Sequence, residues 1–182
     1  MITEINTNMK LSEHFTLREL TKTNTGIANV PNEAQVENLK RVCRWLEQLR
    51  LRYNQMRKEK GEMSNRQSRF DLGQRNGNEE MRNEVREYPI IINSGFRSAA
   101  VNKAVGGVAT SNHLTGCAVD IRCIGMEQAL RYAAILLDIS DMSREDFDEL
   151  LIEQKRSVIW IHFAVRPTGN RRRTNFEKSL PK

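Results

Sequence analysis

Cysteine is scarce in this chain. Cys43, Cys117 and Cys123 are an odd number without CxxC spacing, which argues against a disulfide framework. No apolar run approaches membrane-spanning length, and Met1 to Lys10 lack the apolar centre of a signal peptide. The chain is therefore expected to be made in the cytoplasm as a soluble protein, needing another route if it acts outside. Aromatic residues make up 6% and hydrophobic residues 38%, low for a compact domain, so part of the length is expected to lie outside the core. Acidic residues are outnumbered, 23 against 29 Lys and Arg, and the net charge of +6 favours anionic partners. Cell-wall polymers, nucleic acid and an anionic membrane face all qualify, and charge does not choose among them. Histidine occurs three times, at His14, His113 and His162. At 182 residues the chain fits one domain with an insertion.

What is present centres on Ser111-Asn112-His113-Leu114-Thr115-Gly116-Cys117-Ala118-Val119-Asp120. Gly116 permits a tight turn, and the residues from Ala118 to Cys123 read as a strand. Period two puts Ala118 and Asp120 on one face and turns Val119 and Ile121 into the core. Cys117 and Cys123 share the core parity, so they read as packing residues rather than as a thiolate ligand or a nucleophile. Small Ala118 leaves room beside Asp120, and His113 can reach the same spot from the loop. An imidazole and a carboxylate are ordinary Zn²⁺ ligands, but a third must come from elsewhere.

Thr16-Leu17-Arg18-Glu19 has capping-box form and predicts a short helix, with His14 read as a loop residue before it. Asn32, with Gln35 three positions on, predicts the start of the longest helix, striped by Val36, Leu39, Val42, Cys43, Leu46 and Leu49. Trp45 falls off the stripe and is expected to cover its edge. From Asn54 to Glu87 aliphatic periodicity fades, which predicts an extended helix end and then a flexible insertion, residues 54–87. Ile90 to Ile92 read as a buried strand, Val101 to Val105 as a short helix and Met126 to Leu137 as a longer one. Ser143 to Asp146 read as a further helical turn. Leu150 to Gln154 and Val158 to Val165 read as a hairpin. In its second strand Trp160, His162 and Ala164 face away from the core like the floor of a cleft, which makes His162 the expected third ligand. Glu153 projects from the partner strand into the same cleft.

Ser94-Gly95-Phe96-Arg97-Ser98, Asn102, Gly106-Gly107, then Ser111, His113, Gly116, Ala118 and Asp120, and finally Trp160-Ile161-His162, resemble the zinc D-alanyl-D-alanine carboxypeptidases. They are most similar to the short bacterial and phage peptidoglycan peptidases of that group, which have the hedgehog-type fold. The resemblance implies an α+β fold, a central antiparallel sheet packed against helices in one domain over residues 11–166, with residues 167–182 as a basic tail. It implies one Zn²⁺ per chain on His113, Asp120 and His162, with Arg97 and Ser111 binding substrate, Arg97 also taking part in catalysis. Trp160 is expected to join the substrate-binding set. Other members of the group place the catalytic glutamate where this chain has Ile159. Leu151-Ile152-Glu153 matches the context in which the closer relatives carry it, so Glu153 is the expected base and Glu149 the competing candidate.

The substrate so implied is a peptidoglycan stem peptide containing D-amino acids, cut by a carboxypeptidase or an endopeptidase reaction of a monomer that reaches the wall by release or export. A catalytically inactive, zinc-stabilised wall-binding module is the alternative. Arg171-Arg172-Arg173 lacks interleaved aromatics, so nucleic acid is not an expected partner.

Overall fold

The computed structural model describes residues 8–71 and 87–179, with side-chain surroundings for 8–61 and 87–176. The elements in order are helices α1 (Leu17–Leu20) and α2 (Glu33–Asp71), strand β1 (Ile92–Ser94), helix α3 (Ala99–Ala104), a 3-10 turn (Asn112–Thr115), strand β2 (Ala118–Cys123), helix α4 (Met126–Ser143) and strands β3 (Glu149–Lys155), β4 (Val158–Ala164) and β5 (Arg173–Ser179). One sheet holds the strands in the order β1-β2-β4-β3-β5. Its first four strands pair antiparallel and β5 runs parallel to β3, so the α+β fold carries a mixed sheet.

Alternation decides the two faces. Val119 and Ile121 on β2, Ile161 and Phe163 on β4 and Leu150 and Ile152 on β3 are buried against the helices. Helix α2 starts with the reciprocal cap that the sequence signals: Asn32 Oδ1 accepts from Gln35 N–H at 2.9 Å, and Gln35 Oε1 accepts from Asn32 N–H at 2.7 Å. Its stripe from Val36 to Leu49 is buried. Trp45 is buried too, not an edge cover: its ring stands 6.5 Å from Phe147 and 5.4 Å from Phe163, filling the gap between α2 and the sheet. Two further expectations need correcting. Ile91 faces solvent and the paired strand is Ile92–Ser94; Ile90 is buried and Ile92 packs partly buried against the core, as alternation across the triple isoleucine requires. Ser143–Asp146 is no separate helical turn, since α4 runs to Ser143 and Arg144 ends it in the left-handed conformation.

Helix α2 continues to Asp71, so the first part of the 54–87 stretch is helix; residues 72–86 lie outside the described residues. The boundary at Asn54 moves as well. Asn54 is buried, and its carboxamide closes on the returning chain, donating to Tyr88 O at 3.1 Å and accepting Tyr88 N–H at 2.7 Å. Arg50 pairs with Glu87 at 2.6 Å, and the Arg57 guanidinium lies 5.1 Å over the Tyr88 ring. These contacts tie residues 87 and 88 back onto α2. Replacing residues 62–86 with about eight Gly and Ser residues spans the gap comfortably at roughly 3.3 Å per residue. That chain is expected to fold and keep its metal, as circular dichroism and metal analysis would show; a chain that no longer folds would place the segment in the core.

Residues 167–182, read as a basic tail, supply the edge strand β5, and the arginine run explains how it is fastened. Arg171 grips the fully buried Asp148 with Nε and Nη2, both at 2.8 Å, and Arg166 adds a contact at 2.9 Å. Arg172 binds Asp141 and Asp146 and lies over the Phe147 ring, while Arg173 reaches Glu149 Oε1 at 3.0 Å. Three consecutive cations thus clamp the final strand onto acids of the α4–β3 junction. Burial alone would raise the Asp148 pKa; the hydrogen bonds from Arg171 and Asn112 and the charge of Arg166 override it and hold the carboxyl below its usual range. A depressed carboxyl pKa stabilises the fold above the unfolded value of about 3.9, and that stability is lost as pH falls through the lower folded value. Asp148→Asn is therefore expected to cost about 2–4 kcal/mol at pH 7, and its deficit in thermal midpoint should shrink below about pH 4. An equal midpoint at pH 7 would remove the clamp from the account.

Candidate metal centre

His113 reaches the sheet from the 3-10 turn. Ser111 caps that turn by accepting His113 N–H at 3.3 Å, and Gly116 ends it at φ +72°. A Cβ at Gly116 would stand 2.6 Å from Gln35 O of α2, so the chain there must be glycine for two reasons. Asp120 and His162 are direct cross-strand partners on β2 and β4. The three side chains are buried, and their donors converge. Asp120 Oδ1 lies 3.2 Å from His113 Nε2 and 3.1 Å from His162 Nδ1. The two rings face each other at 62° with centroids 5.0 Å apart.

These spacings can be compared with what a metal demands. Ligands at 2.0–2.1 Å around a tetrahedral ion lie roughly 3.3 Å apart, close to both measured separations. The outward nitrogens are also held. His113 Nδ1 faces Gly95 O at 2.6 Å, which sets Nδ1–H as donor and turns the Nε2 lone pair inward. A Cβ on Gly95 would strike Leu20 O of α1, so glycine is what lets that carbonyl sit there. His162 Nε2 faces Glu149 Oε2 at 3.4 Å, so a carboxylate orients the second imidazole. The donor set fits a divalent metal such as zinc.

The three side chains are also coupled electrostatically. Burial would push the Asp120 pKa up, but the adjacent imidazoles of His113 and His162 hold it well below the carboxylate range. Burial would push the His162 pKa down, but hydrogen bonds to Asp120 and Glu149 carry it to about 9. Glu153 adds to that rise through its charge.

Arg97 does not stand open in the cleft. Its Nη2 binds the outer oxygen of Asp120, and its Nε donates to Ser94 Oγ at 2.7 Å. Glu153 and Trp160 are cross-strand partners, and the Trp160 indole N–H donates to Glu153 Oε2. Glu149 sits two pleat repeats away on the same face, held by Asn112 at 3.0 Å and by Arg171 and Arg173. The sequence marks it only as a rival base; its partners Asn112, His162 and the arginine run come from three separate segments, so their convergence is hidden there. Cys117 and Cys123 are buried and outside the donor set, and burial raises both thiols, Cys123 to about 12. His14 is held elsewhere, between Glu47 at 2.8 Å and Arg50 at 2.9 Å.

His113, Asp120 and His162 form a donor set that could hold a metal ion, with one imidazole oriented by a backbone carbonyl and the other by a carboxylate. The family model described as Peptidase M15 matches residues 55–162, more than half of the chain, and the chain belongs to that family of metallopeptidases. Strand β5 lies beyond the matched residues. No curated protein matches the chain.

Proposed function

We propose that this chain is a zinc-dependent peptidase that hydrolyses D-amino-acid-containing bonds of peptidoglycan stem peptides. The observation that carries the proposal is the convergence of His113 Nε2, Asp120 Oδ1 and His162 Nδ1 in a member of the M15 family, with Glu153 on the same face of the sheet. In this reading one Zn²⁺ per chain is held by His113, Asp120 and His162. Zinc, when bound, supplies Lewis acidity to the scissile carbonyl and to the attacking water.

The remaining chemistry belongs to the chain. The Glu153 carboxylate takes a proton from the attacking water and returns it to the leaving amine. Arg97, fixed by Ser94 and by the outer oxygen of Asp120, orients a substrate carbonyl or carboxylate at the edge of the donor set. Ser111 and Trp160 line the substrate side. Gly95 O and Glu149 keep the two imidazoles turned toward the centre, so the site is arranged before substrate arrives. No helix among the described residues is long and apolar enough to cross a membrane. The chain would act as a monomer on the wall after release or export.

Digestion of purified peptidoglycan, with mass spectrometry of the products, tests the substrate class and the bond. Free D-alanine from a stem pentapeptide marks a carboxypeptidase, and loss of cross-linked dimers marks an endopeptidase. Zinc-loaded protein that yields neither product would refute the proposal and leave a wall-binding module.

A further inference from the structure

Trp160 is one of two tryptophans in the chain, and its ring is only half buried. An indole has one polar atom, a donor, and here it is directed at a carboxylate: Nε1–H donates to Glu153 Oε2 at 2.5 Å. The pair is in direct register across β3 and β4, two residues along β4 from His162. A glutamate side chain has three rotatable bonds, and a carboxylate displaced by about 1 Å from its working position can lose on the order of 10²-fold in rate. The strand register alone does not fix those bonds; a donor on the facing residue does.

We propose that Trp160 is a positioning residue, whose indole N–H holds Oε2 of Glu153 and so fixes the orientation in which the carboxylate meets the attacking water. The proposal rests on Glu153 being the base. It assigns Trp160 a role through another residue, distinct from a substrate-stacking surface, and the two roles separate kinetically. A stacking surface acts on KM, whereas a positioning donor acts on kcat.

The test is Trp160→Phe, which keeps an aromatic ring and removes the donor. Zinc content should stay at one per chain, kcat should fall about 10- to 100-fold, and KM should stay within about twofold. A nitrogen–proton correlation spectrum of the zinc-loaded protein contains indole signals from Trp45 and Trp160 only. The signal missing in Trp160→Phe, or retained in Trp45→Phe if the first variant does not fold, belongs to Trp160. It should move in Glu153→Gln, where the accepting charge is gone. An unmoved signal, an unchanged kcat, or a rise confined to KM would each overturn the positioning role. Glu153→Gln that hydrolyses at the wild-type rate would instead overturn the base itself. Glu153→Gln inactive beside a fully active Trp160→Phe would overturn only the positioning role.

Discussion

Glu153→Gln should retain one zinc per chain and lose between about 10²- and 10⁴-fold of its peptide hydrolysis. Glutamine keeps the shape of the side chain, and its amide oxygen still accepts from the Trp160 indole, but it cannot take up a proton. The proposal of Glu153 as the base is supported by the sheet. Ile159 precedes His162 by three residues and sits opposite Gln154 in the ladder, so β4 itself offers no carboxylate there. The only acids on β3 are Glu149 and Glu153, on one face. Glu149 is held mainly by its hydrogen bond to His162, with help from Asn112 and Arg171, and its pKa lies near 2. A carboxylate so deeply stabilised is a poor proton acceptor near neutral pH. It serves instead to orient an imidazole, and loss of such an orienting partner typically costs about 10- to 100-fold in metal affinity. Glu149→Gln is therefore the paired control: weaker zinc, with turnover largely kept once zinc is saturating. Steady-state kinetics and metal titration on both variants decide the matter. Wild-type rates for Glu153→Gln beside a dead, zinc-replete Glu149→Gln would move the base to Glu149.

The second large effect is on the metal. His162→Ala should purify without stoichiometric zinc, while His14→Ala should match the wild type. Structural zinc sites are worth about 10–16 kcal/mol, mostly from four ligands, so losing one of three protein ligands should weaken binding on the order of 10²–10³-fold. His162 sits in the middle of β4, paired on both sides, so the alanine variant keeps its ladder and should remain folded. His14 is bound to Glu47 and Arg50 on α2 and is not part of the donor set. Unchanged zinc in a folded His162→Ala would mean that the metal, if any, is held elsewhere.

How much of this was legible depended on the kind of signal. Strand parity placed Asp120 and His162 on one face and Val119, Ile121, Ile161 and Phe163 on the other, because period two leaves a residue only two choices. Capping chemistry placed the starts of α1 and α2, since Thr16 with Glu19 and Asn32 with Gln35 satisfy local donors without help from the rest of the fold. Partners far apart in sequence were illegible. Arg171-Arg172-Arg173 reads as a solvated charge run, and only the tertiary structure sets Asp148, Asp141, Asp146 and Glu149 against it. The same blindness hid β5, whose polar sequence lacks the apolar alternation of a half-buried strand. It also hid the Arg97 contact to Asp120: a guanidinium at a strand end announces an anion but not which one.

The most direct measurement of the central claim is hydrolysis of purified peptidoglycan by the wild-type protein before chelation, after chelation and after return of zinc. Hydrolysis that is present, abolished and then restored, with restoration saturating at one zinc per chain, is the predicted result. Hydrolysis that survives complete removal of metal, or fails to appear in protein loaded with one zinc at His113, Asp120 and His162, would contradict it.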